Sequence, residues 1–139
     1  MNYYEQTLSP DFKPGKIITQ MVAEGKLGAK STQGFFHWEN GNRPIIDKSE
    51  KAGLFNPEIS MAIMLNEGCR LLEEGVAKGY KVIDKAIKTG MKLTGPFGHG
   101  KSSFERWSKM LEELAVITQK KYLKPCALMK SGKFLNMRK

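Results

Sequence analysis

The chain has 139 residues, 40% apolar and 27% charged, with a net charge of +9. That is length for one domain with a real core but not for two, and the composition excludes a disordered segment. No apolar run approaches the roughly 20 residues that span a bilayer, and Met1-Asn-Tyr-Tyr-Glu-Gln6 lacks the basic and apolar regions of a signal peptide, so a cytoplasmic protein is expected.

Residues 1 to 13 are aromatic and polar without a clear period. Lys13-Pro14 opens a short helix with Ile17, Ile18, Met21 and Val22 on one face and Gly25 as its stop. Gly25-Lys-Leu-Gly28 and Lys30-Ser-Thr-Gln-Gly34 form a tight basic loop leading to a short extended segment, Phe35-Phe-His-Trp38. Its aromatic residues read as a small cluster core rather than a base-stacking platform. Residues 39 to 55 are turn-rich and read as a connector.

Asn56 is a good N-cap and Pro57 suits a first helical position, so a helix is expected over Pro57 to Glu74. Met61, Leu65, Cys69, Leu72 and Val76 form one row at helical spacing, widened by Ala62, Ile63, Met64 and Leu71, which makes this the central buried helix. Glu67, Glu73 and Glu74 are its solvated edge. Tyr80 to Thr89 places Val82, Ile83, Ala86 and Ile87 on one face, and Gly90 is the expected stop. Ser102 or Ser103 can cap a further helix lined by Phe104, Trp107, Leu111, Leu114 and Ala115, with Glu105 at capping-box spacing from Ser102. A last helix, Pro125 to Lys130, ends at Ser131-Gly132, and Asn136 to Lys139 is expected to fray. The class is all-α.

The charge comes from 19 Lys and only 4 Arg. It suits an anionic partner, nucleic acid or a phosphate-bearing small molecule, but also a solvated lysine surface. The second reading is preferred, because the lysines are scattered and arginine, the better reader of bases and phosphates, is scarce. Cys69 and Cys126 could pair; the preferred reading is two small buried hydrophobes in a reducing compartment. His37 and His99 have no second ligand at metal spacing, so no metal site is expected. No catalytic set of Ser/His/Asp or Cys/His type can be assembled.

Gly95 to Ser102 fits the phosphate-loop pattern G-x-x-x-x-G-K-S letter for letter. That loop functions by leaving a buried parallel strand and entering a helix. Here the preceding Val82 to Thr89 has helical period, and no strand with a magnesium-binding Asp follows, so nucleotide hydrolysis is declined. What stays open is an anion site using Lys101 and Ser102, or a plain glycine-rich loop between helices.

A weak repeat runs through the chain. Lys13-Pro14, a helix and Gly25-Lys-Leu27 are echoed by Lys124-Pro125, a helix and Gly132-Lys-Phe134. Together with Leu65-Asn-Glu-Gly-Cys-Arg-Leu-Leu-Glu-Glu-Gly75, Ile83-Asp-Lys-Ala-Ile-Lys-Thr-Gly90 and Thr94-Gly-Pro-Phe97, the sequence resembles the C-terminal helical domain of the 3-hydroxyacyl-CoA dehydrogenase family. Met21-Val-Ala-Glu-Gly-Lys-Leu-Gly28 and Lys30-Ser-Thr-Gln-Gly-Phe-Phe36 resemble the closing segment of the same domain. The resemblance implies residues 1–40 as the tail of a first copy, 41–55 as a connector and 56–139 as a second copy, packed as one compact unit, as in tandem members or those fused to an enoyl-CoA hydratase. It implies an acyl-CoA substrate with Pro96 and Phe97 lining its cleft, a homodimer, and no nucleic acid or membrane partner. NAD and the catalytic His/Glu pair would belong to a Rossmann domain without counterpart in these residues, so this fragment alone would be inactive, with no catalytic residue of its own. The family's substrate-holding Asn falls on Glu58. The alternative is a basic helical nucleic-acid-binding module.

Overall fold

The computed structural model describes residues 3–42, 45, 47, 49, 53 and 56–139, and the regular structure there is helical, as the sequence periods predict. The α-helices are α1 (Tyr3–Thr7), α2 (Lys16–Ala23), α3 (Pro57–Glu73), α4 (Tyr80–Met91), α5 (Pro96–Gly100), α6 (Phe104–Thr118) and α7 (Ala127–Ser131). Among the described residues extended pairing is confined to isolated bridges, Gly28 with Gln33, Gln33 with His37 and Glu39 with Asn42. No described helix is long and apolar enough to cross a membrane. The chain divides into two compact units, Met1–Gly53 and Leu54–Lys139. The division falls within the segment expected to be a connector, of which 43, 44, 46, 48, 50–52, 54 and 55 lie outside the described residues.

In the first unit, α1 forms where the sequence shows no period. Helix α2 starts at Lys16, after Pro14 and Gly15, and ends as expected at Gly25, whose φ of +73° reverses the chain while the Lys26 N–H donates to the Met21 carbonyl at 2.8 Å. Gly28 and Gly34 then lie back to back: the Gly28 N–H donates to the Gln33 carbonyl, and a Cβ on Gly34 would meet the Gly28 Cα at 2.7 Å. No described residue of this unit is buried. Ile17 is 67% and Phe35 70% exposed, so the expected aromatic cluster does not close into a core. An open groove of about 360 Å³ runs past Ile18, Met21, Val22, Leu27 and Phe35.

The second unit is organised around α3, which packs against α4, α5, α6 and α7. Its start is the one the sequence demands: the Glu58 N–H donates to Asn56 Oδ1 at 3.0 Å, with Pro57 in the first turn. Ala62, Leu65, Cys69 and Leu72 are buried along the expected row, opposite Trp107 and Leu111 of α6, and Met129 and Phe134 close the core. Val76 is exposed because the helix ends at Glu73 and the chain turns out of the row at Gly75, with φ +71°.

Four local expectations are corrected. Helix α4 runs through Gly90 to Met91, because Lys92 takes the left-handed conformation, φ 55°, and supplies the stop. Residues 96–100 wind into α5 instead of a loop, with Pro96 at the first helical position. Ser103 caps α6 without a side-chain bond, while the Ser102 hydroxyl donates to the His99 carbonyl, so the Ser102/Glu105 capping box does not form. The C-terminal residues are docked rather than frayed: the Tyr80 N–H donates to the Met137 carbonyl at 2.9 Å, and Gly79 lies so close to the Lys139 backbone that a Cβ there would meet its oxygen at 2.1 Å.

Gly132 illustrates how tightly this unit closes. Its φ is +66°, and a Cβ would meet the Phe104 ring at 2.6 Å. Gly132→Ala is expected to cost about 1–2 kcal/mol from the left-handed backbone alone, with the ring contact adding to it. Chemical denaturation measures it; a cost of about 1–2 kcal/mol and no more would show that Phe104 moves freely aside, and a change within experimental error would show that the backbone has left the left-handed region as well.

Candidate functional site

The segment Thr94–Ser103 joins α4 to α6 and carries every residue singled out from sequence as a possible site. Its conformation is set by Asp84 on α4, whose Oδ1 accepts the Phe97 N–H at 3.1 Å. Only glycine at position 95 permits this, since a Cβ there would meet Asp84 Oδ1 at 2.1 Å. One amide of the segment is therefore given to a carboxylate of the same chain. Pro96 and Phe97 are fully buried, the Phe97 ring stacking on Tyr80 at 5.2 Å and meeting the Phe134 ring edge-on at 5.5 Å. Lys101 Nζ sits 5.1 Å above the outer part of the same aromatic group, over Tyr80. Ser102 is exposed. These four residues thus divide between the core and the surface and do not converge on one point.

Two open cavities flank the segment, and Thr94 lines both. The larger, about 770 Å³, has Asp84, Lys85, Lys88, Lys92, Leu93 and Gly98 among its walls. Lys85 and Lys88 stand one turn apart on α4 and Lys92 follows just past its end, so that three ammonium-bearing side chains line the cavity together with Leu93. Its three ammonium groups outnumber the one carboxylate, Asp84, so the cavity is net positive and fits phosphate or carboxylate.

The smaller cavity, about 340 Å³, lies where α3 and α6 begin and is lined by Glu58, Met61, His99, Ser102, Ser103 and Trp107. Glu58 is gripped by both terminal nitrogens of Arg106, at 2.5 and 2.6 Å, and this bidentate bond holds its carboxyl below the usual range. Trp107 Nε1 is buried and has no hydrogen-bond partner among the described residues. Among those residues no group of three His, Cys, Asp or Glu could hold a metal ion.

Sequence reasoning passed over Lys85, Lys88 and Lys92, although the spacing of the first two was legible, because the lysines were weighed as a scattered set. It also passed over Asp84, whose role depends on a contact across a turn. No family model and no curated protein matches the chain.

Proposed function

We propose that the second unit is the helical, substrate-side and dimer-forming domain of a 3-hydroxyacyl-CoA dehydrogenase of fatty-acid β-oxidation, and the first unit the closing part of a preceding copy. The ordered sequence motifs and the all-helical second unit support this reading. The observation that carries it furthest is the pair of cavities sharing Thr94: a basic one suited to the phosphates of coenzyme A, and a smaller one with His99, Ser102 and Met61 suited to a polar thioester end and its acyl chain.

The uncovered apolar side chains of α2 and Phe35 support the assignment of the first unit, since such a closing segment buries them only against the rest of its own copy. On the second unit Val116 and Ile117 stand 76% and 77% exposed at the end of α6 and suit a homodimer contact. The described residues do not fit NAD: they contain no strand leading into a glycine-rich turn, and the Phe97 amide is occupied by Asp84. Hydride transfer is accordingly assigned to a dinucleotide-binding domain elsewhere in the parent enzyme. Glu58, standing where the family has Asn and tied to Arg106, fits a copy that keeps the fold and leaves the carbonyl-holding role to its counterpart.

Calorimetric titration with acetoacetyl-CoA tests the reading. Binding is expected to weaken at least about tenfold, or about 1.4 kcal/mol, in Lys88→Glu/Lys92→Glu, and to weaken with salt. Absence of binding by the unsubstituted chain would remove the substrate role. Salt-steep binding to duplex nucleic acid in its place would favour a basic nucleic-acid-binding module.

A further inference from the structure

The charge of the chain is not spread evenly. Residues 54–139 hold 16 of its 23 lysines and arginines and 8 of its 14 carboxylates, a net +8, which leaves +1 for residues 1–53. Within the second unit the excess is local. From Gly75 to Phe104 the chain carries six lysines, Lys78, Lys81, Lys85, Lys88, Lys92 and Lys101, against one carboxylate, Asp84. That stretch holds α4 and α5, whose residues wall the larger cavity. Several cations elsewhere in the unit are matched, Arg106 with Glu58, Arg70 with Glu67 and Lys130 with Glu112, and Lys101 rests over Tyr80. Among the described residues no ion pair is made by Lys85, Lys88 or Lys92.

Resting on the coenzyme A assignment above, we propose that the larger cavity takes the 3′-phosphorylated adenosine diphosphate end of coenzyme A, so that the unit holds the cofactor by its nucleotide whatever acyl group it carries. Lysine is a compact point charge without the planar fork of arginine, and it suits tetrahedral phosphate better than the paired oxygens of a carboxylate. Lys85 and Lys88 are one turn apart, and Lys92 lies past the helix end, about 10 Å further along the axis than Lys85. That spread suits two phosphate groups set apart by a ribose better than a single one. The cavity, about 770 Å³, is of nucleotide size, and Leu93 and Thr94 give it an apolar wall and a hydroxyl beside the charges. Leu93 is the one large aliphatic side chain among its described wall residues, too little to grip an acyl chain as well.

The full chain is titrated calorimetrically at low salt with coenzyme A, dephospho-coenzyme A, adenosine 3′,5′-bisphosphate and acetoacetyl-CoA. Coenzyme A and acetoacetyl-CoA are expected to bind within about threefold of each other, and loss of the 3′-phosphate to weaken binding about tenfold or more. Adenosine 3′,5′-bisphosphate is expected to displace both. Lys85→Glu/Lys88→Glu should lose the preference for the 3′-phosphate, whereas Lys109→Glu, on α6 and outside the cavity wall, should keep it. Circular dichroism confirms that both variants are folded. Acetoacetyl-CoA binding in which dephospho-coenzyme A equals coenzyme A, or in which free coenzyme A falls far behind the thioester, overturns the nucleotide grip and leaves the acyl-CoA reading standing. Binding of the bisphosphate and coenzyme A but not of acetoacetyl-CoA removes the substrate role and keeps the nucleotide site. No binding of any of the four, or binding of duplex DNA that the bisphosphate does not displace, overturns the proposal.

Discussion

Phe97→Ala is expected to cost the second unit about 3–5 kcal/mol, the range for removing a large buried aromatic. The ring has no exposed surface, stacks on Tyr80 and meets Phe134 edge-on. It also packs over Gly68, where a Cβ would approach its Cε2 to 2.7 Å, so α3 has no side chain with which to fill the void. Domains of this size are stable by about 5–15 kcal/mol, so the variant would lose a large share of that margin. Urea unfolding followed by circular dichroism reads the difference. A loss below about 1 kcal/mol would place the ring at the wall of an open cleft, where the family resemblance had put it, rather than in the core.

Asn66→Ala comes next, with an expected cost of about 2–4 kcal/mol. Asn66 is 1% exposed and faces a stretch of chain with no helix of its own to satisfy it. Its Nδ2 donates to the Lys124 carbonyl at 3.1 Å and its Oδ1 accepts the Cys126 N–H. Alanine leaves both backbone groups without those partners and opens a void where the buried amide stood. The same urea experiment measures it, and the α7 end of the unit should lose amide protection first in hydrogen exchange. A cost under about 1 kcal/mol would mean that water enters and takes over both bonds.

What the sequence made legible was whatever local chemistry decides. The start of α3 could be read because Asn56 and Pro57 act within one turn, and its buried row because spacing alone defines a face. The end of α4 could not, because Gly90 permits a stop without requiring one, and Lys92 ends the helix through a left-handed conformation that lysine does not advertise. Residues 96–100 hid as a helix for a related reason. Glycine-rich composition lowers helical propensity, and the Asp84 bond that helps hold the turn comes from another element. The site was harder still. Pro96 and Phe97 were selected by resemblance and lie in the core, whereas the three lysines were in view and undervalued. The bonds from Asn66 to Lys124 and Cys126 depend on how the chain before α7 docks against α3, which no periodicity encodes.

The reach of α3 toward the end of the chain has a consequence for cooperativity. Asn66 and Arg70, one turn apart, hold backbone groups at Tyr122, Lys124 and Cys126, partners 52 to 60 residues away in sequence. Most of those backbone groups lie in irregular chain, where no helix supplies an alternative acceptor or donor. The last segment therefore cannot peel away one residue at a time, as a helix end does. Releasing it strips two side chains of α3 of their partners at once, so loss of order at the C-terminal end and loss of the core become a single event.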